Sequence, residues 1–369
     1  MVALIVAAQR MLPGKHNVYL IFRYAFFNLL AGVNLYAPHH AQYLDLYRYS
    51  PSFALAFGPL AVLPLALGIA GWCALNYFAL YAAVRRLLPD RQATLVLLLI
   101  LLDLTTSVQN SQSNPLVTAL IIAAFLAYEH GHAWRGAWAV AAGTAVKIFP
   151  AGAAVFALLH GPRARSRALV AGVVVFAIVA VLPLPVTGPA ALWHQYAWWI
   201  GEEGAKFYKP SYSVMGLLDA WTGRTWPPLP IELTGVAALL LPLALRRDAW
   251  DDAALRRLFL CSLLCFSVLF NHAAESPSYI IAITGIAVWY AAGPRRPYQR
   301  ILLVLTLLLV TAQGDLIPGS WKEQVLTPAR ARVIPVLAAW IAMQVEVLRW
   351  RRTPAGAASG VPTAAPGSA

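Results

Sequence analysis

The positions of the arginines constrain this chain more than any other feature. Seventeen of its 28 basic residues fall in six short clusters: Arg85/Arg86/Arg91, Arg135, Arg163/Arg165/Arg167, Arg246/Arg247/Arg256/Arg257, Arg295/Arg296/Arg300 and Arg349/Arg351/Arg352. Apolar runs long enough to cross a bilayer separate most of these clusters. Cytoplasmic loops retain Lys and Arg, so the clusters mark one side of a membrane, and the remaining long segments face the other side. Those segments hold most of the polar, aromatic and carboxylate residues, so the chemistry is expected there.

Composition agrees. Of 369 residues, 60% are hydrophobic and 12% charged, and the mean hydropathy is +0.64. A soluble domain carries about 25% charged residues. The expected class is an all-α polytopic membrane protein. The net charge of +13 is dispersed as a topology signal and builds no basic face, so nucleic acid is not an expected partner. Cys73, Cys261 and Cys265 lie in apolar runs and read as small buried hydrophobes.

A transmembrane helix needs about 20 residues. On that measure spans are expected near 66–84, 93–110, 114–129, 168–187, 231–246, 255–271, 279–293, 300–317 and 331–348. A first helix ending near Leu12 brings the number to about ten, with both termini cytoplasmic. Residues 1–12 are short for a span, so either neighbouring helices complete a tilted helix or the start codon lies upstream; the second is favoured. Residues 1–352 read as one transmembrane domain, and the Pro/Gly-rich tail 353–369 as disordered.

The stretch 137–160 breaks the pattern. Arg135 precedes it and Arg163 follows it, so a single crossing would put one cluster on the wrong side. Its middle reads Lys147-Ile148-Phe149-Pro150, and proline interrupts a helix. The expectation is a re-entrant hairpin with Lys147 near its tip, backed by protein or a wet cavity. The alternative is a kinked span with a snorkelling lysine.

Long segments 13–65 and 188–230 are expected at the outer surface as interfacial helices. The second carries five tryptophans (Trp193, Trp198, Trp199, Trp221 and Trp226), a residue type that favours the headgroup level.

Four polar constellations stand out. Asp45-Leu46-Tyr47-Arg48-Tyr49-Ser50-Pro51 pairs a carboxylate with an arginine, which keeps it ionised and able to take a hydroxyl proton; from these residues alone a plain surface ion pair with interfacial tyrosines is the favoured reading. Gln109-Asn110-Ser111-Gln112-Ser113-Asn114 offers donors and acceptors suited to sugar hydroxyls or phosphate. Asp103, inside the preceding apolar run, is costly there and marks either a site or a pairing with a neighbouring helix. In Asn271–Pro277, His272 and Glu275 are three residues apart and can share a helical face, while a polar capping turn is the alternative. No second His or Cys follows at ligand spacing, so no metal site is expected. Glu202 to Pro210, including Lys209, mixes charge with aromatics as a sugar or headgroup surface would. No nucleotide-binding glycine loop, serine-nucleophile elbow or zinc-protease motif is present, which argues against an ATP-driven pump and the common soluble enzymes.

Several stretches, in order, resemble glycosyltransferase family 87, the polyprenyl-phosphate-mannose-type transferases of the GT-C fold. They are Asn17–Tyr36 (NVYLIFRYAFFNLLAGVNLY), Asp45–Pro64 (DLYRYSPSFALAFGPLAVLP), Gln109–Leu116 (QNSQSNPL), Ala145–Pro150 (AVKIFP), Ser213–Leu217 (SVMGL) and His272–Tyr279 (HAAESPSY). The resemblance implies a multi-pass transferase of the bacterial inner membrane. It would be inverting and metal-independent, with no cofactor and a periplasmic site. The donor would be a polyprenyl-phosphate sugar, the acceptor a lipid-linked or envelope glycan, and membrane lipids its surroundings.

Many members of that family carry a catalytic aspartate early in the first outer loop, where this chain has Asn17. An amide is no base, so Asp45 is the expected base, with Asp103 and Glu275 behind it. The residues expected to hold substrate are Asn17, Arg23, Arg48, Tyr49, Asp103, Gln109, Asn110, Gln112, Asn114, Lys147, Lys209, His272 and Glu275. A transporter or flippase of lipid-linked saccharides, a structural assembly subunit or a non-catalytic relative are the competing readings. A transporter ordinarily places its site near the midplane within an internal repeat, whereas here the polar clusters gather at one face.

Overall fold

A computed structural model describes residues 16–204, 211–313 and 317–351. Lys209, the expected first helix and the tail lie outside them. Among the described residues the chain is helical throughout, with no strand. Three helices are long and apolar enough to cross a membrane: Leu65–Leu87, the run Pro162–Thr187 and Pro228–Leu245. Asp90–Leu99 and Leu101–Gln109 form a fourth apolar unit, bent by 55° at the break. Shorter apolar helices cover Asn114–Glu129, Phe149–Leu158, Ser276–Ala292, Pro297–Thr311 and Val333–Leu348.

Local chemistry sets the helix starts. Ser50 caps Pro51–Ala56 by accepting the Phe53 amide at 3.1 Å. Asp252 does the same for Ala253–Leu269 from Ala254 at 2.9 Å. A side-chain acceptor of this kind satisfies an amide that has no partner within the helix. Prolines stand in the first turns at 51, 115, 162, 228 and 297, where a missing N–H costs nothing.

The centre of the bundle is the pair Ala253–Leu269 and Tyr279–Ala292, buried along nearly their whole length. Gly285 permits their approach: a Cβ there would stand 2.7 Å from the Cys261 carbonyl. Small residues at a helix crossing let backbones meet in this way. Asn114–Glu129 packs against both Leu65–Leu87 and Ala133–Val146. The outward faces of several helices are apolar. Val173 is 73% exposed and Leu241 58%, on helices whose other faces pack inward. Apolar faces this extensive need lipid around them, as expected of a membrane protein.

The segment before Leu65 is held by rings. Phe22 meets Tyr49, Phe53, Phe57 and Trp72 at centroid distances of 4.8–5.5 Å, edge to face, a favourable arrangement for aromatic quadrupoles. This cluster ties Asn17–Leu30 and the Tyr49 strip to the top of Leu65–Leu87.

The 133–160 segment doubles back. The Ala133–Val146 helix ends at Lys147, which is extended. A tight helical turn over Phe149–Ala154 and a short helix, Val155–Leu158, follow. Lys147 touches Asn114 at the start of the Asn114–Glu129 helix. His160 lies 3.7 Å from Glu129 at its end. The two legs therefore run up and down beside the same helix.

Candidate functional site

The site is assembled at the end of the bundle where Asn114–Glu129 begins. Lys147 Nζ donates to Asn114 Oδ1 at 2.7 Å, and Asn114 Nδ2 donates to the Pro277 carbonyl at 3.0 Å. One buried asparagine thus joins the turn of the doubled-back segment to the His272–Tyr279 loop. Ser50 closes the ring of contacts, its hydroxyl donating to the Ala145 carbonyl at 2.7 Å. Four stretches that are far apart in sequence meet here.

Tyr49 sits among them. Desolvation of its hydroxyl raises its pKa well above the usual tyrosine value, and the carboxylates Glu275 and Asp45 push the same way; Ser113 and Arg48 oppose them. The Ser113 hydroxyl stands beside Tyr49 without completing a hydrogen bond of sound geometry. Asp45 and Arg48 form a loose ion pair at 3.8 Å, both half-buried, and Asp45 Oδ1 accepts the Leu46 amide at 2.8 Å.

The Gln109–Asn114 loop has two roles. Asn110 Nδ2 donates to the Thr106 carbonyl. The Ser111 amide reaches Val108 O and the Gln112 amide Ser107 O, with Ser111 at φ +50°. These are the paired bonds that close a helix through a left-handed residue, so part of this polar run is a helix cap. Gln109 and Gln112 are partly buried beside it. The hydroxyls of Ser107, Ser111 and Ser113 are buried with no hydrogen-bond partner among the described residues. Buried polar atoms are almost always satisfied, so these hydroxyls stand out in a loop otherwise closed by its own bonds.

A second group adjoins the first. Thr311 Oγ1 donates to Asp103 Oδ2 at 2.6 Å. Arg332 is 6% exposed. Its Nε donates to Gln313 Oε1 at 2.7 Å, one terminal nitrogen donates to Ser276 Oγ, and its guanidinium lies 5.7 Å from the centre of the Tyr212 ring. The Tyr212 amide donates to Ala274 O, and Tyr279 donates its hydroxyl to Tyr212 O at 2.8 Å. Ser213–Leu217 packs here too: Gly216 leaves no room for a side chain, since a Cβ would overlap the Ser211 carbonyl. His272 Nδ1 meets Glu232 Oε1 at 2.7 Å.

The expected residues therefore divide. Asp45, Arg48, Tyr49, Asn114, Lys147 and Glu275 come together, and Asp103 joins through Arg332 and Ser276. His272, on the same loop as Glu275, pairs with Glu232 of the Pro228–Leu245 helix. Asn17 Oδ1 accepts the Leu44 amide at 2.8 Å, fastening the loop next to Asp45. Arg23 donates to the Leu63 carbonyl at 2.8 Å, below the cluster. Arg332 and Glu232 were not among the expected residues. Arg332 was hidden in a segment read as the start of an apolar span, although an arginine at a span's outer end departs from the cluster pattern and was the available signal.

The sequence profile of glycosyltransferase family 87 matches residues 47–271. The chain belongs to this family. The match covers more than half of the chain and includes Tyr49, the Gln109–Asn114 loop and Lys147, which meet in the structure. No curated protein matches the chain. The protein is a membrane glycosyltransferase, and such an enzyme needs a sugar donor and an acceptor.

Proposed function

We propose that the protein moves a hexose, with mannose the first choice, from a polyprenyl monophosphate to a hydroxyl of a lipid-linked or envelope glycan. The reaction would run at the periplasmic face of a bacterial inner membrane. The observation that carries the reading is the meeting of Tyr49, Asn114, Lys147 and Glu275 at one end of the bundle, with most of the arginine clusters at the other. Under this topology about ten spans cross the bilayer, and 133–160 is a re-entrant hairpin that lifts Lys147 to the outer interface.

Asp45 is the proposed base. Its carboxylate takes the proton of the acceptor hydroxyl, whose oxygen attacks the anomeric carbon. The bond from that carbon to the phosphate oxygen breaks, and polyprenyl phosphate leaves with the electron pair. One displacement inverts the centre, so a β-linked donor gives an α-linked product. Lys147 and Arg332 supply positive charge for the departing phosphate, where charged hydrogen bonds favour the transition state. Gln109 and Gln112 would hold sugar hydroxyls, and Asn114, with both ends of its amide engaged, would hold Lys147 in place.

The test is transfer from radiolabelled polyprenyl-phosphate-mannose in membranes, wild type against Asp45→Asn at equal expression. Removing a general base lowers the rate by about 10²–10⁴-fold. Equal transfer in both would move the base to Asp103 or Glu275. Absence of transfer in the wild type would overturn mannose as the donor sugar, with a donor panel to follow.

A further inference from the structure

A sizeable concavity lies away from this site. A cavity of about 700 Å³, within the size range of ligand pockets, opens at the opposite end of the bundle. Its walls include Arg296, Tyr298, Glu346, Arg349, Trp350 and Arg351. The Val333–Leu348 helix runs from Arg332 to this cavity, about 24 Å at 1.5 Å per residue. Arg246 at the same end donates to the Leu348 carbonyl at 3.0 Å.

The charges in the cavity are unevenly spent. Glu346 is saturated by three neutral donors: Tyr298 Oη at 2.5 Å, Trp289 Nε1 at 3.0 Å and Gln299 Nε2 at 3.3 Å. Asp252, close by, accepts Trp350 Nε1 at 2.9 Å and caps its own helix. Among the described residues no carboxylate makes an ion pair with Arg296, Arg349 or Arg351. Three guanidinium groups thus line an open cavity without a direct ion pair, Arg296 donating to Tyr298 Oη at 3.3 Å within electrostatic reach of Glu346, and a tyrosine and a tryptophan flank them. A guanidinium matches a phosphate oxygen pair in shape and charge. Basic pockets between transmembrane helices on the cytoplasmic side suit anionic headgroups.

We propose that this cavity binds a phosphate ester, the headgroup of an anionic lipid of the inner leaflet. Only the leaflet rests on the topology proposed above; the binding does not depend on glycosyl transfer.

The experiment is native mass spectrometry of the purified full-length protein in detergent, titrated with phosphatidylglycerol, with phosphatidylcholine of matched chains, or with glycerol 3-phosphate. The wild type should retain phosphatidylglycerol about tenfold more tightly than phosphatidylcholine. The triple variant Arg296→Gln/Arg349→Gln/Arg351→Gln should lose that preference while keeping its elution volume and thermal transition. Glycerol 3-phosphate that fails to bind identifies the lipid as the ligand. Glycerol 3-phosphate that binds in the wild type but not in the variant keeps the phosphate site and overturns the lipid as its source. Arg295→Gln/Arg300→Gln, in the same basic cluster but outside the cavity walls, should behave as wild type. Equal retention of the two lipids, a preference that survives the triple variant, or its equal loss in the Arg295/Arg300 control would each overturn the cavity assignment.

Discussion

Lys147 and Asn114 lie 33 residues apart in sequence, yet Lys147 Nζ donates to Asn114 Oδ1 at 2.7 Å. The contact sets the height of the doubled-back segment against the Asn114–Glu129 helix and carries a cation to the Tyr49 cluster. It follows that Lys147→Met should lower transfer by about 10²-fold, the scale of losing one electrostatic contact to a developing charge. Lys147→Arg should recover part of it. A Lys147→Met protein with normal thermal stability and full transfer would remove Lys147 from the phosphate.

Asn17 and Asp45 are brought together by the backbone between them: Asn17 holds the Leu44 amide, and Asp45 is the next residue. A carboxylate at position 17 could accept the same amide. The Asn17→Asp protein should therefore fold with a thermal midpoint close to wild type. In an Asp45→Asn background it should restore at least about tenfold of the lost transfer, because a base then returns to the same loop. Transfer assays on the two singles and the double decide it. A double variant as inactive as Asp45→Asn would mean that position 17 points away from the acceptor.

Much of the helical frame was legible. The expected 114–129, 231–246, 279–293 and 331–348 fall within a few residues of the observed helices, because each is an unbroken apolar run ended by Asn, Pro, Gly or Arg. The break at Lys147 was legible too, through Pro150. The expected 93–110 span instead bends by 55° at Ile100, in a stretch with no Pro or Gly, and both halves pack on Tyr279–Ala292. That bend belongs to tertiary packing and leaves no local trace. The site divides similarly. Dense polar runs announced Asp45, Asn114 and Glu275, whereas Arg332 and Glu232 matter through partners 56 and 40 positions away. In the Gln109–Asn114 loop, the run of amides concealed an ordinary helix cap at Asn110 and Ser111.

Arg332 is a buried cation whose direct hydrogen bonds go to the neutral Gln313 and Ser276, while Asp103 lies within electrostatic reach. Removing the cation leaves Asp103 with less compensation in a desolvated place, which is costly. Arg332→Met should destabilise the protein, and Asp103→Asn in that background should recover about 1–2 kcal/mol, the scale of coupling between neighbouring charges. Thermal midpoints of the two singles and the double give this coupling. Strict additivity would show that Arg332 and Asp103 do not feel each other.

His160 stands at the opposite end, 3.7 Å from Glu129, which Arg256 holds in a two-pronged ion pair at 2.5 and 2.7 Å. Burial lowers the His160 pKa below 6.5 and the Arg256 charge lowers it further, with Glu129 opposing both. The folded protein then takes up this proton less readily than the unfolded chain. Stability from His160 is fully present above about pH 6.5 and falls as pH drops through that value toward the lower folded pKa. In His160→Gln the thermal midpoint should change less between pH 7.5 and 5.5 than in the wild type, with the difference vanishing above pH 7.5. Parallel melting curves for the two proteins across that range would show that Glu129 cancels the effect of burial and Arg256.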